Sequence, residues 1–511
     1  MADQLRWDHL GCAGHPYLQT PTIDALARRG VRFANAFVNS GVCGPSRMSY
    51  YTGRYPITHG ATWNRVPLSV GELTMGEMLR GAGLSLALAG ETHVMPDHDG
   101  LTRLQFEGGS ELATLLERGG FEEIDRYDGH HAPGAESGYP AFLRAHGYDG
   151  DDPWSDHVIS GIDANGQVAS GWHMRNVHLP ARVREAHSET AYMTDQAIAY
   201  TQRMGRQPWV LHLSYVKPHW PYMAPAPYHA MYSAEQCLPV LRSEAELRDA
   251  HPVLAAYRQH EECISFQRDD CIRLVRPAYQ GLISQLDHHL GRLFDHLAAL
   301  DALDDTMIVF CADHGDFLGD HWLGEKELFY DTVQKIPFIV VDPRAAADAT
   351  RGSVESRFVE SVDVVPTVLD ALGIAAPLHR LEGASLLPLL HGMPPETWRD
   401  FSYSELDYSY RHARLALRKN VQQCRAFSLR TERWRYVYWL DEPEQLFDLH
   451  ADPDEFQDLG RDASSGAVRA VLRNQLLDFL ARRRHRSTVS DAAVERGTGA
   501  YKKAGVFFGQ W

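Results

Sequence analysis

The chain has 511 residues, of which 44% are hydrophobic and 23% charged, as in an ordinary soluble globular protein. This length predicts one large α/β domain together with a smaller one. The formal net charge of −17 argues against a nucleic-acid surface, which would be basic, and means that any anion site must be built locally.

The sequence also predicts where the protein is found. The first ten residues, "MADQLRWDHL", lack the basic and apolar regions of a signal peptide, and no segment approaches the roughly 20 apolar residues of a membrane helix. The seven cysteines are odd in number and form no CxxC pair. We therefore expect reduced thiols and a cytoplasmic location. The lack of a membrane helix predicts that the protein does not contact a membrane.

Four short apolar runs are predicted to be buried parallel strands. They cover residues 84–89, 209–213, 307–312 and 336–341. Before the third run, leucines recur at three- and four-residue steps from Leu282 to Leu297, which predicts an amphipathic helix. This alternation predicts an α/β fold with a large, mostly parallel sheet covered by helices on both faces.

Two regions depart from this pattern. Residues 120–185 are rich in Gly, Asp, His and Trp and predict an insertion over the sheet edge, which is either a lid or a surface loop without function. Residues 396–490 predict a smaller C-terminal α+β domain, because "RTERWRYVYWL" resembles antiparallel strands and a helical pattern follows it through Leu480.

Polar side chains stand where the predicted strands end. Ligand sites in open α/β sheets lie beyond the carboxyl ends of the strands, so these side chains predict one shared site. They are Asp3, Gln4, Glu91, His93, Lys217, His219, Asp313 and His314.

Part of this group could bind a divalent cation. Asp3, Asp313 and His314, with help from Gln4, offer mostly oxygen ligands, which favour Ca²⁺, Mg²⁺ or Mn²⁺. The single imidazole favours Mn²⁺. Asp313 and His314 alone could equally form an ordinary polar turn, and only their combination with the other strand ends favours a site.

The stretch "GVCGPSRMSYYTGRYPITHG", residues 41–60, predicts a helix that begins near Pro45. Cys43 then stands at the start of that helix, where backbone N–H groups favour negative charge. Arg47 is one helical turn further and can reach the same anion. A buried structural cysteine is the alternative, but these neighbours favour a reactive group that faces an anion site.

The residues "CGPSR" from Cys43 to Arg47, followed by "TGR" from Thr52, resemble the signature of the sulfatases in the alkaline phosphatase superfamily. The resemblance covers most of the chain. It includes the segment "TPTIDALARRGVRFANAF" before the signature, and "ADHGDFLGDH", "ESVDVVPTVLDALGI" and "LRTERWRYV" after it.

Membership of this family would imply an alkaline phosphatase-like catalytic domain over residues 1–395 and one divalent metal, Mn²⁺ first and Ca²⁺ second. It also implies that a maturation enzyme oxidises Cys43 to formylglycine. One oxygen of the hydrated aldehyde would attack sulfur or phosphorus, and the other would later expel the bound group. The implied metal ligands are Asp3, Gln4, Asp313, His314 and the Cys43-derived oxygen.

The resemblance implies a role for five further residues. Arg47 would stabilise the ionised diol, Lys326 and His219 would contact the leaving group and the oxyanion, Asn64 would be a further oxyanion donor, and His93 would be the base that triggers elimination.

Two positions depart from the common family pattern. Glu91 stands where many sulfatases have a lysine, which puts the grip on sulfate at this substrate-binding position in doubt. Gln4 replaces an aspartate and lowers the negative charge of the metal site. Both features, with the terminal "GVFFGQW", resemble the branch that contains phosphonate monoester hydrolases and promiscuous arylsulfatases.

Three functions follow as alternatives. The first is hydrolysis of sulfate monoesters of aryl or small alkyl alcohols. The second is hydrolysis of phosphonate monoesters or phosphodiesters with the same machinery. The third is a catalytically silent homologue, which the combination of Cys43, Arg47, Asp313, His314 and Lys326 disfavours.

The two ends of the chain carry further expectations. In the family an apolar strand leads into the first metal aspartate, so Met1 to Asp3 are expected at the end of a central strand whose beginning is encoded upstream. The tail, residues 491–511, is polar until Val506, Phe507, Phe508 and Trp511. Aromatic residues are enriched in interface cores, so the tail predicts a homodimer or homotetramer.

Overall fold

The computed structural model describes residues 1–129, 138–483 and 486–499. Its strands are β1 (Val31–Phe37), β2 (Leu86–Gly90), β3 (Phe121–Arg126), β4 (Ser160–Ile162), β5 (Val168–Ser170), β6 (Val210–Ser214), β7 (Ile308–Cys311), β8 (Phe338–Val341), β9 (Val354–Glu360), β10 (Phe401–Asp407), β11 (Arg425–Thr431), β12 (Trp434–Trp439) and β13 (Gln445–Asp448).

Its α-helices are α1 (Pro21–Arg29), α2 (Cys43–Thr52), α3 (Pro56–His59), α4 (Met75–Gly81), α5 (His98–Arg103), α6 (Glu111–Glu117), α7 (Gly138–Ala145), α8 (Glu189–Met204), α9 (Pro252–Tyr257), α10 (Glu261–Phe266), α11 (Asp269–Ala299), α12 (Asp331–Gln334), α13 (Val364–Ala371), α14 (Leu387–Leu390), α15 (His412–Ala416), α16 (Gly466–Ala481) and α17 (Asp491–Gly497).

The main sheet consists of two sets of strands that share the N-terminal segment. One set has the order β3-β2-β6 and the other β7-β8-β1-β9. Ala2 forms parallel bridges to both Tyr215 and Ala312, just after β6 and β7, and so joins the two sets. The expectation that Met1 to Asp3 occupy the end of a central strand is therefore confirmed. The predicted upstream codons stay a prediction.

A cavity of about 660 Å³ lies beside this segment and is lined by residues of β6 and β7, among them Val210, Leu211 and Val309. The Met1 nitrogen donates a hydrogen bond to the Leu213 carbonyl at 2.8 Å, which continues the pairing of this segment with β6.

The prediction that residues 336–341 form a parallel strand is wrong. β8 runs antiparallel to both β7 and β1, whereas β2 pairs in parallel with β3 and β6. Parallel neighbours are joined by a crossover, usually a helix packed on the face of the sheet. The connection between β7 and β8 is long enough for one, but its regular structure is a short 3₁₀ turn and the four-residue α12, and the chain re-enters the sheet at the end where β7 finishes.

The predicted insertion also begins later than residue 120. Residues Phe121–Arg126 form β3, which pairs with β2 at the edge of the main sheet. Its sequence "FEEIDR" is mostly charged, as is common for an edge strand. A search for short apolar runs therefore does not detect this strand. Of the described insertion, α7 and the β4–β5 hairpin lie beyond this strand.

Helices pack on the sheet as the sequence predicts. In α11, Leu282, Leu286, Leu290, Leu293 and Leu297 are all buried, and this helix contacts α8 and α1. All ten residues of α2 are buried. Gly53 ends α2 with a φ of 67°, a conformation that glycine adopts without strain.

The C-terminal domain has the predicted secondary structure, an antiparallel sheet followed by a helix. Strands β10-β11-β12-β13 form an antiparallel sheet, and α16 packs against β12. No helix among residues 1–129, 138–483 and 486–499 is long and apolar enough to cross a membrane. The aromatic end of the tail lies outside the described residues, so the predicted oligomer contact stays a prediction.

Ion pairs connect this domain to the segment between β7 and β8. Arg435 of β12 contacts both Asp331, the first residue of α12, and Glu455. The side chains of Arg435 and Glu455 are each 3% exposed. Breaking a buried pair leaves the remaining charge without compensation, which makes Arg435 a structural connection between the domains.

We expect Arg435→Met to lower the free energy of unfolding by about 3–5 kcal/mol, because the Glu455 carboxylate would stay buried without the guanidinium that compensates its charge. Arg433→Met is the matched control, since Arg433 is 53% exposed and water screens its pair with Asp448, which should therefore contribute little to stability. Denaturant unfolding of both variants measures the difference. Equal losses in the two variants would contradict the structural role of Arg435.

Candidate active site

The start of α2 places Cys43 at the carboxyl edge of the sheet. Cys43 is the first residue of the helix and is fully buried. Ser46 donates a hydrogen bond from Oγ to the Asp313 carbonyl at 2.6 Å, which fixes the helix against the end of β7. The Gly44 N–H donates to Asn64 Oδ1 at 2.7 Å, and a Cβ at Gly44 would lie 2.9 Å from the Asn64 Cα. Glycine is therefore required for this close approach.

Four predicted metal ligands converge on this point. Ligand atoms of Asp3, Cys43, Asp313 and His314 all lie within 4.8 Å of one another, and all four residues are buried. His314 Nε2 lies 3.1 Å from Cys43 Sγ and 3.7 Å from Asp3 Oδ1. His314 Nδ1 lies 2.8 Å from the Gly315 carbonyl, to which it must donate. Nε2 therefore carries the lone pair that a metal ion needs.

Gln4 lies beside these four residues, and its backbone N–H donates to Asp313 Oδ1 at 3.1 Å. Its Nε2 donates to Asp316 Oδ2 and to the Tyr222 hydroxyl, which orients the amide. Gln4 Oε1 and Asp3 Oδ1 are buried and have no hydrogen-bond partner within the described residues. Buried oxygens without partners are rare in native structures and indicate a missing ion or water. This donor set fits a divalent cation.

Arg47 holds the carboxylates in place. Its Nε donates to Asp313 Oδ2 at 2.9 Å, and its Nη2 donates to Asp3 Oδ2 at 3.0 Å and Glu91 Oε2 at 2.8 Å. Nη1 donates to the Glu91 carbonyl and to Ser214 Oγ. Protein groups thus engage every nitrogen of this guanidinium, and its predicted role toward a diol stays a prediction.

The carboxylates outnumber the cations around them. Burial and the Asp313 charge raise the pKa of Asp3 well above its usual range. Burial alone would raise the pKa of Asp313, but Arg47 and His314 hold it below its usual range. A proton bound at Asp3 would compensate negative charge there, and a divalent cation would do so more effectively.

Lys326 and His219 lie on the other side of the thiol. Lys326 Nζ donates to Cys43 Sγ at 2.7 Å and to His219 Nε2 at 3.0 Å. His219 Nδ1 lies 2.6 Å from the Trp220 carbonyl, so Nδ1 carries the proton and Nε2 accepts from Lys326. Burial opposes the charge on Lys326, but Cys43 and Asp3 raise the pKa of this lysine above its usual value.

The structure places Glu91 between Arg47 and His93. His93 Nδ1 lies 2.8 Å from Glu91 Oε1. Burial and Arg47 lower the pKa of His93 to about 4, and burial raises the pKa of Glu91 to about 7. The carboxylate of Glu91 therefore compensates Arg47, while its predicted substrate contact stays a prediction.

The unmodified Cys43 thiol is poorly suited to nucleophilic attack. Burial and the Asp3 charge raise its pKa well above the usual range, although Lys326 acts in the opposite direction. The thiolate is the reactive form of cysteine, so this environment does not activate the sulfur.

Sequence reasoning missed the residues that orient these ligands. Asp316 and Tyr222 fix the Gln4 amide, and Asp316 Oδ1 also accepts from the Leu318 N–H at 2.9 Å. Asp316 is the last residue of the "DHGD" stretch, so its place beside two predicted metal ligands could have suggested a role in the site. Lys217, a strand-end residue, instead pairs with Glu189 at 3.1 Å and donates to two loop carbonyls.

An alkaline phosphatase-like sheet with a cysteine, two aspartates, a histidine and a lysine at its carboxyl edge defines a class of metal-dependent ester hydrolases. The sulfatase family profile matches residues 1–374, and the chain therefore belongs to the sulfatase family. The profile of the N-sulphoglucosamine sulphohydrolase C-terminal region matches residues 319–482.

Individual relatives agree with this assignment. The multifunctional alkaline phosphatase superfamily protein PehA of Trinickia caryophylli is 32% identical over 475 residues, which cover 89% of this chain and 88% of that one. An arylsulfatase of Clostridium perfringens is 27% identical, covering 90% and 89%. The phosphonate monoester hydrolase SpPMH of Silicibacter pomeroyi superposes with a TM-score of 0.85 at 29% identity, covering 96% and 97%.

We expect Asp316→Leu to weaken binding of a divalent cation about 10- to 100-fold, because the Gln4 amide would lose its anchor. The measurement is Mn²⁺ affinity by competition with a chelator, which does not require turnover. Tyr222→Phe is the graded control, since it removes one hydroxyl contact and keeps the carboxylate. Unchanged affinity in Asp316→Leu, with the fold intact by circular dichroism, would rule out this orienting role.

Proposed function

We propose that the protein hydrolyses sulfate monoesters with a formylglycine nucleophile derived from Cys43 and one divalent metal ion. The observation that carries this proposal is the position of Cys43 Sγ, between Lys326 Nζ at 2.7 Å and His314 Nε2 at 3.1 Å, beside two buried oxygens without partners. Formylglycine in place of this weakly activated thiol supplies an oxygen nucleophile. A separate maturation enzyme would act on Cys43 before folding buries it.

Asp3, Gln4, Asp313 and His314 would hold the metal ion. When bound, the ion supplies Lewis-acid stabilisation of charge on the ester oxygens. Mn²⁺ is the proposed ion, with Ca²⁺ as the alternative, because the set combines one imidazole with oxygens. Arg47 holds Asp3 and Asp313 in position and keeps Asp313 ionised, so the chain presents its ligands in a fixed arrangement.

Lys326 and His219 would act on the leaving oxygen. The ammonium group already donates to both the nucleophile position and His219 Nε2, so it can stabilise negative charge on either side of the reacting centre. A proton can pass from this pair to the departing alcohol or phenol. Asn64 Oδ1 accepts from the Gly44 N–H, which leaves Asn64 Nδ2 as a donor to an ester oxygen.

His93 would act as the base that releases the product. Its Nδ1 lies against Glu91 and carries the proton there, so Nε2 carries the lone pair. The lowered pKa of about 4 keeps this imidazole neutral at neutral pH, as a base requires.

Phosphonate monoester and phosphodiester hydrolysis is the second candidate activity. Arg47 is compensated by Asp3, Glu91 and Asp313, while Lys326 is the cation that contacts the nucleophile position. Sulfate monoesters, phosphonate monoesters and phosphodiesters all carry one negative charge at neutral pH. This balance of charges favours them over phosphate monoesters, which carry up to two.

We expect 4-nitrophenyl sulfate, a 4-nitrophenyl phosphonate and bis(4-nitrophenyl) phosphate to be hydrolysed with higher kcat/KM than 4-nitrophenyl phosphate. The shared leaving group keeps its contribution constant, so the anion determines the order. The rates are compared on one preparation with a defined Mn²⁺ content. A preference for 4-nitrophenyl phosphate would contradict the charge argument, and inactivity toward all four would contradict the proposed function.

We expect active protein to contain formylglycine at position 43, detected by mass spectrometry of the peptide that spans Cys43. Cys43→Ala should abolish nearly all turnover and leave the unfolding transition unchanged, because alanine fits the buried helix start. Ser49→Ala is a control on the same helix, since Ser49 Oγ donates to the Pro45 carbonyl at 3.2 Å and lies 3.3 Å from His59 Nε2, away from the reacting groups. A fully active sample with only unmodified thiol would exclude this nucleophile.

A further inference from the structure

A buried lysine holds the loop that carries His219. Lys217 Nζ donates hydrogen bonds to the His219 carbonyl at 3.1 Å and to the Pro221 carbonyl at 2.9 Å. The same nitrogen lies 3.1 Å from Glu189 Oε1, and both charged side chains are 4% exposed. An ammonium group has three N–H donors, so these three oxygens match its capacity. Lys217 is therefore directed into the protein and not toward a substrate.

Further contacts fix the direction of the His219 ring. The His219 N–H donates to the Val216 carbonyl at 3.1 Å, and His219 Nδ1 donates to the Trp220 carbonyl at 2.6 Å. Because Lys217 holds its carbonyl, His219 is fixed at its N–H, its C=O and one ring nitrogen. The other ring nitrogen, Nε2, then lies 3.0 Å from Lys326 Nζ. Release of the carbonyl would let the ring turn away from Lys326.

Glu189 keeps the lysine in place and connects three segments of the chain. It is the first residue of α8, where the N–H groups of the helix start favour a carboxylate. Its Oε2 accepts from the Tyr127 hydroxyl, after β3, at 2.9 Å and from Trp154 Nε1, in the insertion, at 3.1 Å. Its Oε1 faces Lys217 after β6. The carboxylate compensates the lysine, so the loop is held without added net charge beside His219.

We propose that Lys217 and Glu189 are positioning residues for departure of the leaving group, because they hold His219 Nε2 where it orients the Lys326 ammonium group. This inference rests on the proposed function. As the S–O bond breaks, its electron pair passes to the leaving oxygen, which takes a proton from Lys326 Nζ. That proton matters most when the departing alcohol is a weak acid, because a stable phenolate leaves without one. Lys217 and Glu189 should therefore matter more for poor leaving groups than for good ones.

The first experiment compares Lys217→Met with the unchanged enzyme on phenyl sulfate and on 4-nitrophenyl sulfate, whose phenolate is the better leaving group. We expect kcat/KM to fall about 10- to 100-fold for phenyl sulfate and about threefold or less for 4-nitrophenyl sulfate, because a misplaced acid is missed most by the poorer leaving group.

Lys419→Met is the matched control. The Lys419 side chain is 6% exposed, pairs with Glu442 at 3.0 Å and donates to the Leu440 carbonyl at 3.1 Å, and these residues lie in the C-terminal domain. This variant should lower the stability and leave the ratio of the two rates unchanged. A change in that ratio as large as in Lys217→Met would contradict a specific role of Lys217.

A double variant separates positioning from stability. Lys217→Met leaves the Glu189 charge buried without its partner, which destabilises the fold. Lys217→Met/Glu189→Gln removes both charges, and the glutamine oxygen still accepts from Tyr127 and Trp154. We expect this variant to regain stability in denaturant unfolding but to keep the larger loss toward phenyl sulfate, because the His219 carbonyl still lacks its donor. Equal losses toward both esters, no loss toward either, or recovery of the phenyl sulfate rate together with stability would overturn the proposal.

A second measurement does not depend on turnover. Diethyl pyrocarbonate modifies the histidine nitrogen that carries the lone pair, which is Nε2 in His219, and peptide mass spectrometry gives the rate at each histidine. We expect Lys217→Met to raise the rate at His219 about threefold or more, because local opening of the loop exposes the ring. The rate at His98, which is exposed, should not change.

The two measurements distinguish the positioning role from the proposed function. Faster modification of His219 in an enzyme that is inactive toward every ester would support the hold of Lys217 on His219 and reject the proposed function. An unchanged rate at His219 would reject the positioning role whatever the activity.

Discussion

The buried guanidinium of Arg47 is the contact on which the catalytic edge depends. It connects helix α2 to three carboxylates: Asp3 near the start of the chain, Glu91 after β2 and Asp313 after β7. These segments are far apart in the sequence, and the side chains concerned are 0–3% exposed. Loss of one member of such a buried network typically costs ~3–5 kcal/mol. The same contacts that gather the ligands therefore also hold the helix and the strand ends together.

This network sets the charge of the site as well as its shape. Three carboxylates surround one guanidinium, and Lys326 lies beyond the thiol. Burial and the neighbouring carboxylates raise the pKa of Asp3, and a divalent ion would offset that negative charge. Glu91 compensates Arg47 at the same nitrogen, Nη2, that donates to Asp3. The positive charge left toward the ester comes from Lys326 and the ion, which suits a substrate with one negative charge.

Much of this edge could be predicted from the sequence, because short-range patterns specify it. Apolar runs identify buried strands, and the polar residues that follow them must meet where parallel strands end. This pattern predicts that Asp3, His93, His219 and Asp313 lie close together at one edge of the sheet. Arg47 was placed one turn from Cys43 by helix periodicity alone.

The remainder depends on contacts between distant segments, which one sequence does not display. The composition of β8 does not reveal its direction, because the connection before it lacks the crossover helix that joins parallel strands. The partners of Glu91 are decided by the position of α2 against β2. The ring of Trp172 in the insertion contacts the ring of Trp220 after β6, and nothing in the sequence around either residue indicates that contact.

Backbone conformation adds a last constraint on the same residues. Gln4 and His93 have φ values of 64° and 56°, in the left-handed region that side chains with a Cβ rarely adopt. Each such residue costs of order 1–3 kcal/mol and persists only where its surroundings determine it. Asp316 and Tyr222 hold the side chain of Gln4, and Glu91 holds the imidazole of His93. Folding therefore supplies the energy that orients these groups, and their arrangement exists before an ester binds, which is what electrostatic stabilisation of a transition state requires.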